Sequence, residues 1–468
     1  MKYSIKYLLL SAVFLLGSCE DMFDNELITT NPNAVTQASV PMGTLLSGTL
    51  LGVTALHEDT DTRISYMWSG QMTGAARQHL AFSQYIVSAD RFSWDDYYAT
   101  GADARIVQQK ADDNGDTWHK GIAQIAEALI ITKLTAFWGD VPYSEAFNIE
   151  EFPSPAYDSQ SEVYSQLQTT LDVAIENLSV PAGTSPGNKD IIFQGDLDKW
   201  IAAAYTLKAR LYLHQENYDA AIANALQGIA SPEGDALAPH GNSQGIDQNS
   251  NYAFFVVTRS GDTNFSPPAV LPTLMTANRN AKTDDTALYN HFFQFGLIQS
   301  EVLDANVNPD GFFAADAYQP LLTYYENQMI LAESYARTDN LPAALEALNS
   351  VRAVLATGYI NGRSISEDNQ ALGIKYEPYV MGDFAGQTDL LYEIMLTKYM
   401  ISLSQYESFT DIRRWEVATP VVTLPVEPVV STRTGELPGR YIYPTAEINT
   451  NPNIPAVTDQ FEKLSIFN

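Results

Sequence analysis

Apolar residues return at intervals of three and four along several stretches of the chain, the spacing that lines one face of a helix. The clearest run extends from Thr117 to Phe137 and stops at Gly139 and Pro142. From Ser161 to Leu178 the apolar positions are Val163, Leu167, Leu171, Ala174, Ile175 and Leu178, which predicts a helix packed by one face. Met42 to Leu56 and Asp389 to Phe409 carry similar patterns, Trp94 to Tyr98 opens another helix by burying its rings, and Asp196 stands as an N-cap before Trp200. Between these helices the pattern changes. Residues 231–316 are rich in Gly, Asn, Asp, Ser and Pro, residues 358–387 are loop-rich too, and from Thr419 the chain is extended and Pro-rich. Long ordered loops of this kind are usually functional.

The stretch from Leu207 to Leu226 reads as two short helices closed by a turn at Gln215 to Tyr218. A shift of 123 residues lays it on Ile330 to Asn349, where Ala209 meets Ala332, Tyr212 meets Tyr335, Asn217 meets Asn340, and Ala220 to Ile222 meet Ala343 to Leu345. Small residues let two helices approach, the Tyr fills the groove, and the Asn tolerates the turn, as in a tetratricopeptide unit. One such hairpin cannot bury its own apolar face, so copies stack. The expected fold is mostly α, a tetratricopeptide-like hairpin scaffold at about 117–229 and 320–356, with long irregular loops, including the 231–316 insertion, as the ligand face. Trp138, Trp200 and Trp415 fall in scaffold stretches and are expected in the core.

The N-terminus changes the picture. Lys2 and Lys6 precede an apolar run from Tyr7 to Leu16, and Leu16-Gly17-Ser18 precede Cys19, the only cysteine. About ten apolar residues are too few to span a bilayer, which takes ~20, but suit the core of an export signal. Residues 1–18 read as a lipoprotein signal peptide, Cys19 as the lipidated residue, 19–41 as a tether containing Asn31-Pro32-Asn33, and 42–468 as the body. A formal charge of -30 argues against nucleic acid and extended polyanions as partners. It leaves neutral ligands in play.

Several motifs together resemble the SusD/RagB family of nutrient-binding lipoproteins of the Bacteroidetes outer membrane. They are the lipobox, FWGDVPYSEAF at Phe137 to Phe147, the paired hairpins, DIRRWEVATP at Asp411 to Pro420, and GRYIYPTAEINTNPN at Gly439 to Asn453. Glu20, Asp21 and Asp24, directly after the lipobox, are similar to the surface-export signal of such lipoproteins. The resemblance implies outer-membrane anchoring through the N-terminal lipid, a ligand surface on loops away from the hairpins, and a partner, a SusC-like TonB-dependent transporter over which the lipoprotein sits as a lid. It implies binding rather than catalysis.

Glycan recognition needs aromatic faces for sugar C–H surfaces beside amides, Arg or carboxylates for hydroxyls. Trp68, Gln71, Arg77, Gln78, His79 and Tyr85 supply one such mixture, with Trp68, Arg77 and His79 the foremost candidates. Tyr252, Phe255, Arg259, Asn264, Phe265, Arg279 and Asn280 supply a second. The expected ligand is a neutral oligosaccharide or polysaccharide. A peptide ligand and a non-catalytic tetratricopeptide interaction scaffold are the alternatives.

Catalytic signatures are weak. Gly183 to Gly187 matches a G-x-S-x-G elbow but lies in a Pro/Gly loop between helices, without the preceding strand. His57-Glu58 lacks a second His, since position 61 is Asp61. Asp112 to Asp116 and Asp304 to Asn308 each place Thr117 or Pro309 where a calcium loop needs Gly, so no EF-hand is expected. No cofactor is expected, and structural calcium bound in some other way stays open.

Overall fold

A computed structural model of the chain describes residues 40–276, 280–297, 299–428, 435–457 and 459–467. The expected signal peptide, Cys19 and nearly all of the expected tether lie outside the described residues. The chain divides into two units, Met1–Pro41 and Met42–Asn468, and every described helix belongs to the second.

Twelve helices carry the architecture: α1 Met42–His57, α2 Thr60–Trp68, α3 Arg77–Ser83, α4 Asp95–Asn114, α5 Thr117–Trp138, α6 Gln160–Ser179, α7 Leu197–His214, α8 Tyr218–Ala225, α9 Tyr324–Arg337, α10 Leu341–Leu355, α11 Gln387–Ile401 and α12 Glu407–Trp415. From α4 to α10 each helix packs on the next, and α11 closes on α9 and α10. This is the one-dimensional stacking of a helical repeat. α5 is long and apolar enough to cross a membrane, but the protein buries it. It starts on Asp116, whose side chain accepts from the His119 N–H at 3.0 Å, and ends at Gly139, whose φ of 79° suits glycine. Ser159 and Glu162 form a capping box at the start of α6.

The repeat read from the sequence recurs in the backbone. In the α7–α8 hairpin Glu216 has φ 56°, and in the α9–α10 hairpin Asp339, 123 residues later, has φ 62°. Asn217 N–H donates to Tyr212 O at 2.9 Å and Asn340 N–H to Tyr335 O at 2.8 Å. Each Asn then caps the following helix. The 231–316 insertion leaves and re-enters at one place, because Ala236–Ala238 pairs antiparallel with Gln319–Leu322.

One expected helix proves to be two. The run from Asp389 to Phe409 breaks between α11 and α12, where Ser404 takes φ 63°. The carbonyls freed by the break are not lost: Asn361 Nδ2 donates to Ile401 O at 3.1 Å and Gln319 Nε2 to Ser404 O at 2.8 Å.

The Pro-rich end wraps the body. Tyr441 slides between Phe92 and Phe137, stacked at 4.5 Å on each, and its N–H donates to Phe137 O at 2.8 Å. Trp138 Nε1 donates to Ile442 O at 2.9 Å. Trp138, Trp200 and Trp415 are all buried, as expected. The Asp411 to Trp415 stretch is scaffold too. Arg414 grips Glu333 on α9 with two hydrogen bonds of 2.7 Å, Trp415 Nε1 and Arg337 Nε add donors at 3.0 and 2.8 Å, and Arg413 spends its donors on the carbonyls of Phe409, Gly439 and Ala136.

Candidate functional site

The two sequence-predicted candidate segments meet in space. Thr73–Gly74 pairs antiparallel with Thr263–Asn264, and Ala75 N–H donates to Asp262 O at 2.7 Å. Gly74 lets the chain turn closely back onto α3, since a Cβ there would collide with the carbonyl of His79. Arg77, with φ 49°, pairs with Asp262 and donates to Ser260 O at 3.1 Å.

Six of the thirteen predicted contact residues nevertheless point inward, which corrects the expectation for those six. Trp68 is 1% exposed, edge-on to Tyr85, Phe92, Phe409 and Tyr441 at 5.0–6.4 Å, with Nε1 donating to Phe82 O at 2.9 Å. A ring so enclosed offers no face to a sugar. Gln71 is buried between Tyr399 O, to which it donates at 2.8 Å, and Ser408, from which it accepts at 3.2 Å. His79 is buried against Asp262, with Nδ1 2.8 Å from Oδ2, and burial lowers its pKa against the pull of that carboxylate. Tyr85 packs on Trp68 and Phe461, and Phe255 and Phe265 pack on Phe313. All three are core. Arg77, Gln78 and Arg259 are exposed, and Tyr252 and Asn264 are half-buried. Arg279 lies outside the described residues. Asn280 alone reaches a large concavity.

That concavity is a cleft of about 560 Å³. One wall is the Asn280–Lys282 segment, the second is the loop holding Tyr379, Asp383 and Phe384, and the third is α11, which contributes Asp389, Tyr392, Glu393 and Leu396. The α11 residues recur at i, i+3, i+4 and i+7 and therefore share one face. Tyr379 knits the walls together. Its hydroxyl accepts from Asn280 Nδ2 at 2.7 Å, lies 2.8 Å from Thr283 Oγ1, and donates to Glu393 Oε1 at 3.0 Å. Burial, then the Glu393 charge, raises the Tyr379 pKa, so the phenol stays protonated as this donation requires. At the rim Lys282 Nζ donates to Asp383 Oδ2 at 2.7 Å, and this hydrogen bond holds the carboxyl below its ordinary range. Phe384 stands edge-on to Tyr379 at 5.1 Å.

Half-buried Phe384 and Tyr392 offer apolar ring surface, while Asn280, Asp383 and Asp389 offer polar atoms at the edge. This is the composition of a site for a small polar ligand with apolar faces. Sequence reading missed Tyr379, Phe384, Asp389, Tyr392 and Glu393. The signal was there in α11, where Asp389 and the Tyr392-Glu393 pair interrupt buried Leu390, Leu391, Ile394 and Met395. Among the described residues no group of three or more His, Cys, Asp or Glu is placed to hold a metal ion.

Helical hairpins with a loop-walled cleft define a tetratricopeptide-like helical scaffold. The chain belongs to the SusD-like family, whose model, described as "Starch-binding associating with outer membrane", matches residues 32–444. A solved SusD/RagB family protein from Bacteroides thetaiotaomicron is similar at 20% identity and TM-score 0.67, covering 89% of this chain and 95% of that one. A SusD homolog from Bacteroides fragilis is similar at 17% identity and TM-score 0.68, covering 92% and 100%. A structure described as a chitin-binding protein is similar at 20% identity and TM-score 0.61, covering 88% and 94%. At these identities the likeness is one of fold. No curated protein matches the chain by sequence.

Proposed function

We propose that this protein captures a neutral oligosaccharide at the cell surface and passes it to a SusC-like TonB-dependent transporter, with lipid on Cys19 tethering it to the outer membrane. The observation that carries the reading is the cleft: ring surface from Phe384 and Tyr392 beside the amide of Asn280 and the carboxylates of Asp383 and Asp389. Carboxylates accept from sugar hydroxyls and repel anionic polymers, in keeping with the formal charge of -30. The similarity to a chitin-binding structure and to a family described as starch-binding supports a glycan over a peptide. The protein binds and does not transform.

The test is titration of the full chain with maltohexaose, chitohexaose, cellohexaose, a polyuronate and a peptide panel. Binding of one neutral oligosaccharide is expected, with Tyr392→Ala weakening it about tenfold or more through loss of ring contact, at unchanged circular dichroism. Binding of peptides alone, or of the polyuronate, sinks the reading. The anchor is tested separately: Cys19→Ser is expected to move the protein from the membrane fraction to the soluble fraction, and continued membrane retention would contradict lipidation there.

A further inference from the structure

The geometry points to Arg352 as the positioning residue of the cleft, with Asn349 as its companion, an assignment that rests on the cleft being the ligand site. The two lie three residues apart on α10 and share one face of that helix. Shifted back by 123 residues, the sequence holds Leu226 and Ile229, which lie just past the end of α8. The two copies agree at their turns and differ here, where the second carries an amide and a guanidinium.

Those two side chains grip the cleft from below. Asn349 reads the backbone of Tyr379 in both directions: its Oδ1 accepts from Tyr379 N–H at 2.8 Å and its Nδ2 donates to Tyr379 O at 3.0 Å. Arg352 is 0% exposed, and its guanidinium carbon lies 3.7 Å from the centre of the Tyr379 ring. Its Nε and Nη2 donate to Glu377 O at 3.0 and 2.7 Å, and Nη2 also donates to Lys282 O at 2.9 Å and Thr283 Oγ1 at 3.1 Å. Nη1 stands 3.9 Å from Glu393 Oε1. One planar group thus touches all three walls: the segment before Thr283, the loop around Tyr379, and α11. Arg suits this place because its donors are fixed in a fork, whereas a Lys ammonium is a point charge on a flexible stem.

Arg352 does not face the ligand. It sets where Tyr379 stands, and through the Tyr379 hydroxyl it sets Asn280 and Glu393, so the rigid hairpin dictates the shape of the cleft.

The test compares the full-length wild type with Arg352→Lys, Arg352→Met and the exchange Asn349→Leu/Arg352→Ile, which gives these places the residues found 123 positions earlier. Ile229→Val is the control. Amide hydrogen exchange is followed segment by segment, and titration uses the maltohexaose, chitohexaose and cellohexaose panel. Arg352→Met and the double exchange are expected to speed exchange at 280–283 and 377–384 by about tenfold or more, leaving 197–225 unchanged, and to weaken oligosaccharide binding about tenfold or more. Arg352→Lys, keeping the cation under the ring but not the fork, is expected to fall between wild type and Arg352→Met. Uniform acceleration across both hairpins would make Arg352 a fold residue and overturn the assignment. So would faster exchange at the walls with unchanged affinity. If wild type binds no oligosaccharide, the cleft reading fails on its own, and the segmental exchange still decides whether Arg352 places the walls.

Discussion

Trp68→Ala is expected to lower the unfolding free energy by about 3–5 kcal/mol, the range for truncating a buried aromatic. The indole touches Tyr85, Phe92, Phe409 and Tyr441, so its removal opens a void where α2, α12 and the C-terminal wrap converge. It also leaves Phe82 O without the indole donor inside the core. Domains are marginally stable by comparison with such a loss. The denaturant midpoint should shift strongly, and glycan binding should fall only in proportion to the unfolded fraction. An unchanged midpoint with binding selectively abolished would instead restore Trp68 as a ligand contact.

Glu333→Gln is the second large effect. Glu333 accepts from Arg414 twice, from Arg337 and from Trp415, all within 3.0 Å and out of contact with solvent. Neutralising it leaves two buried guanidinium groups short of their counter-charge, which costs about 3–5 kcal/mol. The same site fixes a pH dependence. Burial alone would push the Glu333 carboxyl up, but Arg414 and Arg337 outweigh it and hold the group well below the carboxylate range. A depressed pKa contributes stability that is present above the unfolded value, about 4.3, and drains away as pH falls toward the folded one. The stability gap between wild type and Glu333→Gln is therefore expected to be full at neutral pH and to narrow below about pH 4, followed by urea midpoints across that range. A gap that widens on acidification would contradict this account of the pair.

The scaffold was legible because its signals are local. Helical periodicity, Asp and Asn caps and the 123-residue shift each depend on a few neighbouring residues, and the matched φ values at Glu216 and Asp339 show how closely two distant copies follow one rule. The break between α11 and α12 was not legible, since the groups that satisfy it, Gln319 and Asn361, come from other parts of the chain. The site was legible only at its edge. Aromatic residues outside the periodic helical runs were read as ligand-facing, yet Trp68, Tyr85, Phe255 and Phe265 are buried and give those segments a core. Loops without long amphipathic helices still need cores, and they build them from rings. The cleft draws Asn280 from the insertion, Tyr379 from a later loop and Tyr392 from a helix that reads as scaffold. No single window of sequence holds those three together. Arg352 joins them.

The claim that the cleft receives the ligand is tested most directly by amide hydrogen exchange on the full chain, with and without the oligosaccharide that binds it. Slowed exchange confined to 280–283 and 379–396 is the predicted result. Slowing at 77–86 and 257–264, with the cleft unchanged, would contradict it and move the ligand to the exposed face around Arg77, Gln78 and Arg259.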